Sequence, residues 1–458
     1  MQPPAPHPVS EIDRSIRPSG IIIQPDIPIC QTDLPLDWYQ EEFKPYAEEY
    51  LALPDRKPET VLPWMDAYIH PVLEEFASEL ILLAHYYMGG EIVKLVERYG
   101  GHVADSYSLA RQTILHPERK VFVESAVHFM AEAIALLAAP DQKVYITNPK
   151  SGCTMEMMAK EFMVAPAFDK LRARYGEDIM VVAYMNTSGR LKALAGESGG
   201  AVCTSSNASE IIRWARRQGR RIFFVPDEHL GRNIAAQVGI PDERIFLWPG
   251  GHEGAELSPE ALAQDELARL DGAELILWGS FCGVHTVFKP EHIEYWRERD
   301  YSVVVHPECP REVVALADGS GSTSFLWKHV MEAPAGSRFA VATEGHFVRN
   351  LREQAGARGI TVEHLADVSL PGLSSEGCGC ATMSRNDPPH LVAILDLLRK
   401  GQVPEANQVL AGDMVDEVSG WRERLDAESQ AELTKHARLA LERMVEITES
   451  AKDTEGDF

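Results

Sequence analysis

Seven cysteines are spread over 458 residues, and three of them fall at matching places in an internal repeat: Cys153 in TNPKSGCTMEM, Cys282 in LWGSFCGVHTVF and Cys380 in EGCGCATM. Three thiolates delivered from three loops to one axis can hold three irons of a 4Fe–4S cluster. The fourth iron then lacks a protein ligand and is free to act as a Lewis acid. A structural zinc site is a weaker reading, because no C-x-x-C pair stands beside a second such pair. Taken singly, each cysteine would more often be a small buried hydrophobe. Position in the repeat is what selects these three. Cys203 and Cys309 have no repeat equivalent and are expected to be buried, and Cys30 lies in a proline-rich arm. Cys378 stands two residues before Cys380 and competes with it as the third ligand.

Groups able to move protons cluster elsewhere in the same repeat. His85-Tyr86-Tyr87, Tyr184-Met185-Asn186 and His306-Pro307-Glu308 each close an apolar run. Glu308, His306, His85 and Tyr87 are the candidate general acids and bases. Glu308 is expected to have a raised pKa, suiting it to switch between the two roles. Ser106, Ser205, Ser322 and Thr323 precede predicted helices, where hydroxyls and free backbone N–H groups can hold a carboxylate or phosphate. The Met157-Met158 pair and Met185 read as core filler.

The elements that must position these groups come in three rounds. ELILLAHYYMGGEIVKLVERYG, DIMVVAYMNTSGRLKALA and YSVVVHPECPREVVALA are strand-like runs leading into helices. Each is followed by a small-hydroxyl turn opening a helix: ADSYSLARQ, CTSSNASEIIRWARRQ and GSGSTSFLWKHVME. Each round then adds a second strand and helix: KVFVESAVHFMAEAIALLA, RIFFVPDEHLGRNIAAQV and SRFAVATEGHFVRNLREQ. Strands alternating with helices of this length predict parallel βαβ units. The fold class is therefore α/β, with three similar αβα, Rossmann-like domains around a pseudo-threefold axis. In such sheets functional groups gather beyond the carboxyl ends of the strands. The three polar clusters should then converge on one central cavity holding the iron–sulfur site.

These strings, with ADSYSLAR, VHFMAE, YMNTS and Lys192, CTSSNA, VPDEHLG, the C-x-V-H at Cys282, HPEC, GSTS and ATEG, resemble the quinolinate synthases in order from about residue 80 to 384. That resemblance implies condensation of iminoaspartate with dihydroxyacetone phosphate, releasing phosphate and water, to give quinolinate for NAD synthesis. It implies a 4Fe–4S cluster on Cys153, Cys282 and Cys380, with Met383 completing the spacing that favours Cys380. It also implies a substrate set of His85, Ser106, Tyr184, Asn186, Ser205, His306, Glu308 and Thr323, with Tyr87 and His285 beside matched positions; Ser322 joins the set through its place before a predicted helix. An L-aspartate oxidase or aspartate dehydrogenase would supply the iminoaspartate. A different cluster-dependent hydro-lyase and an iron or redox sensor are the competing readings.

The chain departs from the family in four places. Met88 and a Gly-Gly follow HYY, Cys378 precedes the third ligand, and SRNDPP replaces a lysine-bearing tail after Met383. Before Cys282 the strand end is duplicated, as RIFLWPGG and again as ELILWGSFCGVH. The segment between reads as a helical insertion with the ligand at C-x-V-H; using the first strand end instead would bring His252 near the ligand position.

The division expected is a proline-rich extension over 1–75, repeats over 76–165, 166–290 (with the insertion near 251–272) and 291–384, and C-terminal helices over 385–458. Twelve of 29 prolines fall in residues 1–70, which argues against a long helix there except near DWYQEEFKPYAEEYLAL. Trp38, Tyr39, Phe43 and Trp64 should anchor this arm on the body. A net charge of −25 argues against nucleic acid. No run of about 18 apolar residues predicts a membrane span, and the N-terminus lacks a secretory pattern, so a cytoplasmic location is expected.

Overall fold

The computed structural model describes residues 34–370, 379–415 and 422–455; Cys30 and Cys378 lie outside them. Three parallel sheets carry the body. The first contains β1 (Leu80–His85), β2 (His102–Ala104), β3 (Val121–Ser125) and β4 (Lys143–Ile146), in the order β2-β1-β3-β4. The second contains β5 (Ile179–Tyr184), β6 (Ala201–Cys203), β7 (Arg221–Val225), β8 (Ile245–Trp248) and β9 (Leu275–Trp278), in the order β6-β5-β7-β9-β8. The third contains β10 (Ser302–Val305), β11 (Gly319–Ser320), β12 (Arg338–Ala342) and β13 (Thr361–His364), in the order β11-β10-β12-β13.

The near-continuous apolar runs follow from helices on both faces of a parallel sheet. In the first sheet Leu80, Leu82 and Val123 face one core and Ile81, Leu83 and Phe122 the other. In the third, Val303 and Ala340 face one side while Val304 and Val341 face the opposite one. Alternation with period two places them so. No helix among the described residues is long and apolar enough to cross a membrane.

The second sheet resolves the duplicated strand end. β9 pairs with β7 and takes the place that β4 and β13 hold in the other sheets, while β8 is added outside it as an edge strand. The insertion is thus a strand as well as helices, and it threads to the edge before the chain returns inward. Trp248 and Trp278 are register partners and both are fully buried. Indole Nε1 of Trp248 donates to Gly254 O at 2.9 Å, closing the inserted turn. His252 is exposed beside Phe162 and does not approach the cysteines' cavity, so the alternative built on it fails.

The arm differs from expectation. A 19-residue helix, Pro58–Phe76, runs through Pro63 and Pro71. Each interior proline costs about 3 kcal/mol, roughly 6 for the pair. Val61, Met65, Ile69 and Val72 form a fully buried stripe, and each such side chain returns roughly 1.5–3 kcal/mol. Burial of one face outweighs the prolines. Of the anchors, Tyr39 and Phe43 are buried, while Trp38 and Trp64 are partly covered.

Candidate functional site

One cavity lies beyond the carboxyl ends of the strands. It is lined by His85 and Tyr87 after β1, Tyr184 and Asn186 after β5, and His306 and Glu308 after β10. Ser106, Ser205, Thr323, His285 and the cysteines Cys153, Cys282 and Cys380 complete the candidate residues that line it. Each cysteine comes from the loop after the strand in the same sheet position: β4, β9 and β13. Ser322 is the candidate left out of the lining. Its Oγ is spent as the N-cap of the helix Thr323–Met331, accepting from Phe325 N. In the other two rounds the caps are Asp105 and Asn207, so Ser106 and Ser205 are not consumed as caps.

Two of the cysteine loops are held by helix-capping carboxylates that the sequence reading missed. Asp227 caps the helix Glu228–Gln237 through Leu230 N at 2.7 Å, and its other oxygen accepts Cys282 N at 3.1 Å. Glu344 does the same at the helix Gly345–Gly356, accepting Phe347 N at 3.0 Å and Cys380 N at 2.9 Å. The first round has Val127 at the equivalent cap. The available signal was the matched D-E and E-G after β7 and β12, within VPDEHLG and ATEG. Cys203 and Cys309 are buried as expected, and Met185 is core, but Met157 is exposed.

Glu308 is the electrostatic centre. Tyr184 Oη donates a short hydrogen bond to its Oε1, and His285 Nδ1 lies 2.9 Å from its Oε2. Burial pushes its pKa up, but His285, His306 and the tyrosine hydroxyl outweigh burial and hold the carboxyl down at about 2. The direction is opposite to the raised pKa expected, because His285 and the Tyr184 hydroxyl, in direct contact with the carboxylate, oppose its burial. Tyr184 is pushed well above the usual phenol range by burial and by the adjacent carboxylate. Thr343, also missed, joins Tyr87 Oη at 3.0 Å and His285 Nε2 at 3.3 Å.

His85 and His306 share a local geometry. Nδ1 of His85 accepts from Tyr87 N at 3.2 Å, and Nδ1 of His306 accepts from Glu308 N at 3.4 Å. With Nδ1 an acceptor, the neutral ring carries its proton on Nε2. Burial lowers their pKa values to about 4 and about 3. Both rings are neutral N–H donors at neutral pH. In unfolded chains they titrate near 6.5, so the unfolded state binds the extra proton first as pH falls. Relative to His306→Gln, the parent protein should lose about 2 kcal/mol of stability between pH 7.5 and 5. Urea midpoints of the metal-free pair check this, and a pH-independent difference would refute it.

All three thiols are pushed upward by burial; at Cys282 the carboxylate of Glu308 and the other two sulfurs add to it. No lysine or arginine stands among the described lining residues to stabilise three thiolates. A cationic metal centre inverts that logic by deprotonating its own ligands, and an all-sulfur donor set from three loops suits iron–sulfur chemistry. Cys282, His285 and Glu308 also form a group whose ligand atoms all lie within 4.8 Å of one another and can hold a metal ion.

Fold and site define an α/β protein of parallel sheets with a buried, metal-capable centre at the strand ends. The family model described as quinolinate synthetase A protein matches residues 68–446. A quinolinate synthase of Corynebacterium glutamicum is 35% identical over 389 residues, covering 84% of this chain and 88% of its own. Those of Staphylococcus carnosus and Streptomyces coelicolor are 32% and 34% identical, covering 89% and 92% of this chain and 100% and 98% of theirs. The chain belongs to the quinolinate synthase family.

Proposed function

We propose that the chain condenses iminoaspartate with dihydroxyacetone phosphate to quinolinate, releasing phosphate and water, in the service of NAD synthesis. The observation that carries this reading is the convergence of three cysteines with Glu308, two neutral histidines and two tyrosines on one cavity. Cys153, Cys282 and Cys380 would hold a 4Fe–4S cluster, which when bound supplies Lewis acidity. The three sheets, each with its cysteine loop, serve as three domains about that centre. An L-aspartate oxidase or aspartate dehydrogenase would supply the unstable imine.

The chain's own residues account for binding and proton movement. Ser106, Ser205 and Thr323, at or near helix starts, hold carboxylate and phosphate groups by hydroxyl and backbone N–H. This matters because no lysine or arginine stands among the described lining residues. His85 and His306 donate from Nε2 to substrate oxygens and orient them. Glu308 accepts protons during isomerisation and dehydration. At rest it is a weak base, held down by its hydrogen bonds and imidazoles. A substrate that displaces Tyr184 or His285 from it releases the burial effect and makes it a stronger one.

Anaerobically reconstituted protein is expected to be brown, to carry iron and sulfide in equal amounts, and to form quinolinate from the two substrates. Cys153→Ser, Cys282→Ser and Cys380→Ser should each lose the visible spectrum. Colourless, inactive protein after reconstitution would sink the proposal. A second reading, a single metal ion on Cys282, His285 and Glu308, is favoured by their mutual approach; it predicts metal without sulfide and indifference to Cys153→Ser.

A further inference from the structure

The family match begins at residue 68, so residues 34–67 of the described chain lie ahead of it. The arm nonetheless reaches the cysteine loops. Those of Cys153 and Cys380 are bonded to each other: Asn148 Nδ2 donates to Arg385 O at 2.8 Å, Arg385 Nη1 to Lys150 O at 2.7 Å, and Ser151 Oγ to Thr382 O at 2.7 Å. Asn386 adds two more, accepting from Thr147 Oγ1 at 2.6 Å and donating to Ser151 Oγ at 2.8 Å. The loop of Cys282 takes no part in this clasp and is held from Asp227 instead.

Three consecutive arm residues close over the clasp. The Trp38 ring lies 5.9 Å from the Arg385 guanidinium carbon, a cation–π contact. Tyr39 Oη donates a short bond to Asp387 and its ring stacks on His390 at 4.7 Å. Gln40 Nε2 donates to Asn407 Oδ1 at 3.1 Å, and Asn407 in turn donates to Ile146 O at 2.8 Å and Thr147 O at 3.1 Å, at the end of β4. The arm thus touches the Cys380 side directly through Trp38 and Tyr39 and reaches the Cys153 side from Gln40 by way of Asn407.

We infer that the N-terminal arm is a brace for two of the three cysteine loops: Trp38, Tyr39 and Gln40 are positioning residues that keep Cys153 and Cys380 at a fixed separation. The consequence for a cluster rests on the function proposed above, but the brace itself belongs to the metal-free protein and is tested there.

The test is the alkylation rate of each thiol in the metal-free full-length chain, read peptide by peptide by mass spectrometry, with fragment ions separating Cys380 from Cys378. Tyr39→Phe removes one hydroxyl and keeps the stacked ring; Trp38→Ala removes the cation–π contact. Losing one hydrogen bond of roughly 1.4 kcal/mol makes local opening about tenfold more frequent. Alkylation of Cys153 and Cys380 should therefore rise together by about tenfold in Tyr39→Phe, with Cys282 changing less than about twofold. General loosening would accelerate all three thiols alike. That pattern, acceleration of one loop only, or no change in any, overturns the inference. Should Trp38→Ala fail to fold, Tyr39→Phe alone decides it. A failed quinolinate assay with a selective thiol response would leave the brace standing and refute only the function.

Discussion

Glu308→Gln is expected to lower the rate of quinolinate formation by roughly 10²–10⁴, the range that one positioned acid–base group supplies. Iron and sulfide content should stay unchanged. The amide keeps the size of the side chain and an acceptor for Tyr184 Oη, so neither shape nor the tyrosine contact explains the loss. What disappears is the buried negative charge that His285 and His306 face. With no carboxylate opposite it, His285 Nδ1 loses the anionic oxygen that lies 2.9 Å from it. Tyr184→Phe should cost less, because it removes a donor but leaves the base. Steady-state assays alongside iron and sulfide analysis check both. Loss of metal from Glu308→Gln would move Glu308 into the ligand set with Cys282 and His285 and refute its role as a base. Unchanged turnover would remove it from the chemistry altogether.

The parts of this site that could be read from residue order are those that repeat. A histidine or tyrosine closing an apolar run, a hydroxyl turn about 20 residues on and a cysteine at the end recur in phase, and a parallel sheet sends all three to its carboxyl end. Features fixed by tertiary partners left no such trace. RIFLW and ELILW are near-identical runs, and only packing decides that the later strand pairs with β7 while the earlier goes to the edge. The helix Pro58–Phe76 is hidden by its prolines, because its support comes from a partner helix more than 300 residues away, Pro388–Arg399. The sign of the Glu308 shift was misread for the same reason. Burial can be guessed from an apolar strand end, but His285 is brought to Glu308 by a different sheet. Asp227 and Glu344 look like ordinary helix caps, and only the fold shows their second oxygens on the cysteine loops.

The largest structural effect is expected at Lys192, a fully buried lysine. Its Nζ donates to Thr187 O and lies 5.6 Å from the Phe129 ring. Burial lowers its pKa to about 8, against the pull of Glu132. Glu132 is likewise buried, raised by burial to about 7, and its oxygens accept Gly189 N at 2.6 Å and Gly412 N at 2.8 Å. Three segments meet at this carboxylate: the helix after β3, the helix after β5 and the C-terminal turn. A Cβ at Gly189 would stand 2.3 Å from Glu132 Oε1, so a larger residue there would have to displace this carboxylate from its hydrogen bonds. Lys192→Met removes the counter-charge and should cost about 3–5 kcal/mol where Glu132 is ionised. The cost must depend on pH. Without the lysine, the folded-state pKa of Glu132 rises further above its unfolded value near 4.3. Folded chains then bind more protons than unfolded ones, so stability falls as pH rises through that window, by up to about 1.4 kcal/mol per unit. Lys192→Met should therefore be nearly tolerated at pH 6 and strongly destabilised at pH 9, by urea midpoints, while Lys192→Met with Glu132→Gln should lose this slope. A single variant equally unstable at both values would mean that the lysine acts through packing of its stem and not through its charge.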